Sequence, residues 1–149
     1  MKHQIELSRK TAEYFGVPWE AAYGYAQAVR SGELIFVSGQ LSHDEDGNFI
    51  APASLDASGK IVDFSNMEAQ MRQSYENAQK ILGKFGASLA NVVEEVIYVL
   101  DMKSAFAVAG RVRKAAYGTE KPEVASTILA TPALALPQQL IEIKMVARL

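Results

Sequence analysis

Leu34-Ile35-Phe36-Val37-Ser38-Gly39-Gln40 begins with four apolar residues, branched or aromatic, and then passes through a glycine. A continuous apolar run of this length, bounded by small residues, predicts a strand buried on both faces. The glycine near its end predicts a bulge or chain bend, or a backbone opened for close ligand approach. Taken alone, the tripeptide Ser38-Gly39-Gln40 favours the bend. Just upstream, residues 21–29 predict a second strand, joined to the first through Arg30-Ser31-Gly32-Glu33. Gly32 suits the left-handed position of a short hairpin loop.

Downstream, Asp44-Glu45-Asp46-Gly47-Asn48 is a turn cluster, and residues 47–61, with Pro52, Ser54, Ser58 and Gly59, predict a long loop, a candidate lid or interface segment. Ser65-Asn66-Met67-Glu68 matches a capping box with Ser65 as N-cap. Behind it Met67, Met71, Tyr75, Ala78, Leu82 and Phe85 recur at helical spacing, with Gly86 as the stop. Residues 92–100 return to strand chemistry. Adjacent Glu94 and Glu95 must point to opposite faces there, so they are read as a solvated edge or register device. Residues 101–104 offer caps for a second helix through Tyr117, with Phe106, Ala109, Arg113 and Tyr117 along one stripe, Gly118 at its end and Pro122 beyond.

Two further strands, residues 125–130 and 139–147, flank a loop with Pro132 and Pro137. In the last strand Ile141, Ile143 and Met145 share one face, while Leu140, Glu142, Lys144 and Val146 share the other. The order β-β-α-β-α-β-β predicts an α+β layout, two helices on one side of a mixed sheet, in one domain over residues 1–149.

The chain has 149 residues and a net charge of -2, from 15 Lys+Arg against 17 Asp+Glu, and no cysteine. Disulfides, thiolate metal sites and cysteine nucleophiles are therefore excluded. His3 and His43 are too few for a multi-histidine metal site, and neither a metal nor a cofactor is expected. His43 is read as a surface or interface histidine. The slight negative charge, without any basic run, argues against a nucleic-acid partner. Residues 1–10 are polar, and the longest apolar stretches are strand-sized, which predicts a cytoplasmic protein without a membrane span. Dinucleotide, P-loop, nucleophile-elbow and His-Glu-x-x-His motifs are all absent.

Glu142 stands mid-strand between two isoleucines. A carboxylate in such surroundings must be hydrogen-bonded, paired or shifted toward its neutral form. Pattern alone favours an ion pair with Lys144 or plain exposure; the functional alternative is a general base that orients a water.

Taken in order, several segments resemble the RidA/YjgF family over nearly the whole chain. They are Tyr23-Gly24-Tyr25-Ala26-Gln27-Ala28-Val29; the run from Gly32 to Gln40; the helix over residues 70–85 with Ala78 and Leu82; Val99-Leu100-Asp101-Met102; Phe106, Tyr117 and Pro122; and Leu140-Ile141-Glu142-Ile143. Phe-Val-Ser-Gly-Gln at 36–40 and Ile-Glu-Ile at 141–143 are the most specific. The resemblance implies a chorismate-mutase-like domain forming a homotrimer, with sheets packed into a central barrel, helices outside and small-molecule clefts between subunits. It also implies hydrolysis of reactive enamine/imine intermediates, made by pyridoxal-phosphate enzymes, to a 2-keto acid and ammonia. The family uses an arginine to clamp the substrate carboxylate, a glutamate to position water, a cleft tyrosine and a backbone carbonyl near a Ser-Gly pair.

Carried across, Tyr25 matches the tyrosine, Ser38 and Gly39 the backbone element, and Glu142 the glutamate. Ala125, before Ser126, stands where the family has its arginine, and Gly110 where it has a cleft asparagine. The resemblance thus implies catalytic Glu142, with Tyr25, Ser38, Gly39, Ala125 and Ser126 as substrate-binding positions. Charge-assisted hydrogen bonds contribute roughly 1.5–3 kcal/mol each, so losing two shifts specificity away from typical 2-imino acids. Lys144 and Arg113 are the cations available to replace the charge, though the sequence brings neither to the cleft. The alternatives are a non-catalytic ligand-sensing or chaperone-like trimer and, last, an endoribonuclease.

Overall fold

The computed structural model describes residues 9–149; His3 and the polar stretch through Ser8 lie outside the described residues. In chain order the elements are β1 (Thr11–Glu13), α1 (Pro18–Tyr23), β2 (Ala28–Ser31), β3 (Leu34–Gln40), α2 (Met67–Gly83), a 3-10 turn (Leu89–Asn91), β4 (Val92–Val99), α3 (Met102–Tyr117), β5 (Ala125–Ala130) and β6 (Ile141–Arg148). They build one mixed sheet of order β1-β2-β3-β6-β4-β5. All its pairs are antiparallel except β4–β5, which α3 connects as a crossover.

The strand predicted over residues 21–29 begins only at Ala28. Pro18, preset for the first helical turn, and Gly24, at φ 74°, bracket the short helix α1 instead. Its Glu20 carboxylate accepts the backbone N–H groups of Phe15 and Gly16, each at 2.8 Å, and so fixes the approach of the chain. The hairpin forms as expected: Ser31 pairs with Leu34 across Gly32-Glu33.

Strand β3 is not buried on both faces. Ile35 and Val37 are buried, whereas Leu34 and Phe36 are 39% and 45% exposed. Both long helices lie on the same side of the sheet, so within one chain the other side carries apolar residues without cover. Helix α2 buries Met67, Met71, Tyr75, Ala78 and Leu82, as their spacing predicts, and Ile81 as well; it ends at Gly83, so Phe85, partly buried, lies beyond it. The capping box does not form. Ser65 donates its N–H and hydroxyl to Asp63, Glu68 pairs with Arg72 and Arg111, and the helix starts after Asn66.

Asp101 caps α3 by accepting the Ser104 N–H at 2.9 Å. Its buried stripe is Ala105, Ala109 and Val112, while Phe106 is 68% exposed. Small residues let α3 lie against α2, and the bulky phenylalanine is turned outward. Between the helices and the sheet, Ile97 and Val99 of β4 and Ile141, Ile143 and Met145 of β6 complete the core.

The long loop is fastened to the body. The Gln70 amide donates to the carbonyls of Ala51 and Gln138, Asn66 donates to Pro52, and Ala53 N–H bonds to Gln138. His43 is neither a surface nor an interface residue. It is 4% exposed, its Nδ1 lies 2.7 Å from the Asp44 carbonyl, and its ring meets Trp19 and Phe15 edge-on. Burial holds its pKa below the usual histidine value. Among the described residues no helix is long and apolar enough to cross a membrane.

Candidate active site

Beside β6 the ladder of β3 slips between Val37 and Gln40, so Ser38-Gly39 forms a bulge. Alternation along β6 turns Ile141, Ile143 and Met145 into the core and Glu142 and Lys144 to the open side of the sheet. The bulge and the carboxylate meet. A methyl group at Gly39 would stand 2.5 Å from Glu142 Cγ and closer still to Cδ and Oε1. Close backbone approach is thus the reason for the glycine, and the approaching group is a side chain of the protein itself.

Among the described residues Glu142 accepts one hydrogen bond, from Gln139 Nε2 at 3.1 Å. Burial raises its pKa above the ordinary glutamate value, and the Gln139 bond only partly offsets this. Ser38 is spent on the chain itself. Its hydroxyl donates to the Ala26 carbonyl at 2.7 Å, its N–H to Gln27, and its carbonyl accepts from Gln40 Nε2. Beneath the bulge the buried amides of Gln40 and Gln27 bond to each other at 2.9 Å. The Tyr25 phenol is pushed up by burial, partly offset by Gln27 and raised further by the charges of Glu20 and Glu142.

Tyr25, Ser38, Gly39 and Glu142 line one cleft of about 650 Å³, walled by Trp19, Tyr23, Leu41 and Leu136, with Lys144 on its rim. The structure therefore brings four of the expected site residues together. The ion pair between Glu142 and Lys144 does not form, and Glu142 is half-buried rather than free in solvent. Trp19 carries no sequence signal of its own, and Tyr23, part of the segment resembling the family, has no cleft role while residues 21–29 read as a strand. The Pro18 and Gly24 bracket was the readable sign of a helix that delivers both aromatics. Gln139, which holds Glu142, has no sequence signal beyond being polar next to a strand.

Ala125 and Ser126 lie elsewhere in the chain, on β5 at the far edge, with β4 and β6 between them and the bulge. Ser126 faces the helices. Its hydroxyl donates to Glu95 and accepts from Arg113, both at 2.8 Å. Glu95 is not a solvated edge residue: β4 is an interior strand, and the carboxylate is fully buried, also accepting from Tyr75 at 2.9 Å, Tyr117 at 3.1 Å and Arg113 Nε. Burial and the Glu95 charge push both phenols far up. Arg113 is therefore committed on the helix side, opposite the face of Glu142. Gly110 sits exposed on α3.

Residues 17–149 match the family model described as endoribonuclease L-PSP. A RutC family protein of Pyrococcus abyssi is 33% identical over 98 residues, 66% of this chain and 67% of that protein. One of Haemophilus influenzae is 36% identical over 89 residues, 59% of this chain and 58% of that protein. Among solved structures, a YjgF-family protein from Mycobacterium tuberculosis is 31% identical, with a TM-score of 0.72 over 95% of this chain and 100% of its own. RidA from an Antarctic Psychrobacter is 27% identical, with a TM-score of 0.73 and the same coverage. Sheet order, helix placement, the Ser38-Gly39 bulge against Glu142 and these relatives lead to one assignment: the chain belongs to the RidA/YjgF family, whose model carries the endoribonuclease L-PSP description.

Proposed function

We propose that this protein hydrolyses a small imine or enamine in a cleft completed by a neighbouring copy of the chain, as a homotrimer in the cytoplasm. The observation that carries the proposal is Glu142: a half-buried carboxylate of raised pKa, held against a backbone bulge at the base of an aromatic-walled cleft. Such a group suits general-base work near neutral pH. A water bound to Glu142 adds to the C=N carbon and gives up a proton to the carboxylate. With the imine nitrogen protonated, this gives a neutral carbinolamine; the carboxyl returns the proton to its nitrogen, the C–N bond breaks, and the hydroxyl proton passes to the departing ammonia, so iminium and water become carbonyl compound and ammonium.

The uncovered sheet face supports the assembly. Leu34, Phe36 and Leu129 stand exposed on it, and a closed symmetric oligomer is the usual way to bury such a face. In that assembly a neighbour's β5, with alanine at position 125, walls the cleft. The altered wall supports a substrate other than typical 2-imino acids.

The test is to generate 2-iminopropionate or 2-iminobutyrate enzymatically and follow its disappearance with and without the protein. Acceleration that Glu142→Gln abolishes supports hydrolysis; binding without turnover makes the protein a ligand-sensing or chaperone-like trimer. The endoribonuclease description is disfavoured for this chain by a net charge of -2 and by a His43 buried within the fold. RNA binding that survives physiological salt would restore it.

A further inference from the structure

We infer that the cleft takes a carboxylate-free organic cation: an iminium ion on an apolar or aromatic carbon frame. The inference rests on the hydrolytic reading of Glu142 and names the substrate class of that same site.

Charge decides the class. Glu142 lines the cleft, withdrawn from water, and among the described residues only the Gln139 amide donates to it. A carboxylate with free acceptor capacity in a partly dry pocket attracts a hydrogen-bonding cation. In the hydrolytic step the imine nitrogen must lie within reach of this carboxyl to receive its proton, so the iminium charge sits where that attraction is strongest. Glu20 adds to the negative potential. Its buried carboxylate accepts only the uncharged N–H groups of Phe15 and Gly16, and its charge, like that of Glu142, bears on the Tyr25 phenol.

A second carboxylate, on the ligand, would meet the opposite field. Two like charges side by side push the Glu142 pKa further up and protonate the base that the reaction needs, whereas a cation draws it back down. Offsetting that repulsion takes a fixed cation, and the described residues of this chain hold none there. Arg113 is bound to Glu95 and Ser126 on the opposite face of the sheet, and alanine stands at position 125. Lys144 lies on the rim, exposed, where water and salt screen a charge carried on a flexible stem. The walls suit the rest of the ligand: Trp19, Tyr23, Leu41 and Leu136 take an apolar frame, and aromatic rings attract a cation through their π faces.

The experiment titrates the wild type with 2-phenylethylammonium, phenylalanine and 2-phenylethanol by NMR. The three share one aromatic frame; the second adds a carboxylate and the third removes the positive charge. The first is expected to bind at least about tenfold more tightly than either of the others, as one charge-assisted hydrogen bond allows. Glu142→Gln should remove its advantage over the alcohol. Equal or tighter binding of phenylalanine, or an advantage over the alcohol that survives Glu142→Gln, overturns the inference. Turnover is scored separately, on 2-phenylethanimine made from 2-phenylethylamine by a flavin amine oxidase and on 2-imino-3-phenylpropanoate made from phenylalanine by an amino-acid oxidase. Faster hydrolysis of the carboxylate-free imine upholds the substrate class, and faster hydrolysis of the acid overturns it. Acceleration of neither sinks the hydrolytic reading, and the binding series alone then decides what the cleft takes.

Discussion

Gly39→Ala is the perturbation that reports most directly on the site. Gly39 does not hold a left-handed φ, so alanine is tolerated by its backbone, and the entire effect comes from the methyl group. That methyl overlaps Oε1, Cδ and Cγ of Glu142, the mobile end of a side chain. The carboxylate is expected to swing away and abandon Gln139. Overpacking of this kind costs about 1–3 kcal/mol, and a charge-assisted hydrogen bond contributes about the same. For a chain of this length each kcal/mol lowers Tm by roughly 2–4 °C. In a Glu142→Ala background the methyl fills vacated space, so the same substitution is expected to cost under about 0.5 kcal/mol. Urea unfolding of the four proteins of this cycle measures a coupling of about 1–2.5 kcal/mol. Turnover of Gly39→Ala should fall by about 10²–10⁴, the usual contribution of a positioned base. Equal destabilisation with and without Glu142, or wild-type turnover by Gly39→Ala, would refute the contact and its role.

The pH dependence follows from the same carboxylate. Turnover is expected to rise with pH as Glu142 ionises, with its midpoint above the ordinary glutamate value, and this limb should vanish in Glu142→Gln. Stability runs the other way. A raised folded pKa means that the folded state binds more protons than the unfolded one, so wild-type stability falls as pH climbs from about 4.3 through the folded value. A Tm-against-pH comparison with Glu142→Gln isolates that fall. On the helix side, Arg113→Met strands the buried Glu95 charge and should cost about 3–5 kcal/mol in urea unfolding, less when combined with Glu95→Gln. Phe36→Glu places a charge on the uncovered sheet face and should convert a trimer into monomers by light scattering; a wild type already monomeric would end the assembly proposal.

What the sequence revealed and what it hid divide along physical lines. Residues 67–82 of α2 and the alternation of Ile141, Ile143 and Met145 were legible because periodicity and burial coincide in them. Leu34-Ile35-Phe36-Val37 misled because hydrophobicity records a face to be covered, without saying that the cover is missing from a single chain. The β pattern of residues 21–29 is weak at its start, where Pro18 and Gly24 outweigh it and residues 21–23 are helical. Glu95 was mistaken for a solvent residue because its partners are remote in sequence: Tyr75, Arg113, Tyr117 and Ser126 converge on it only in the fold. At the cleft, pattern alone singles out Glu142 and Gly39, and the resemblance favours their functional reading; their mutual contact is a matter of β3–β6 register, which no local pattern encodes.

The two carboxylates of the β4–β6 ladder differ in the way that makes one structural and the other the group we propose for chemistry. Glu95 pairs with Met145 and faces the helices, where two phenols, a hydroxyl and a guanidinium donate to it. A buried acid met by four donors is locked in place, and no oxygen is left to act on anything else. Glu142, across from Tyr98 on the opposite face, is also withdrawn from water, yet among the described residues one amide is its whole hydrogen-bond complement. Its remaining acceptor capacity points into a cleft, so a water or ligand proton bound there meets a base already desolvated and aligned. If Tyr75→Phe lowers stability with turnover intact while Gln139→Ala lowers turnover with stability nearly intact, that division of labour holds. The reverse pattern would move the chemistry to the helix side of the sheet.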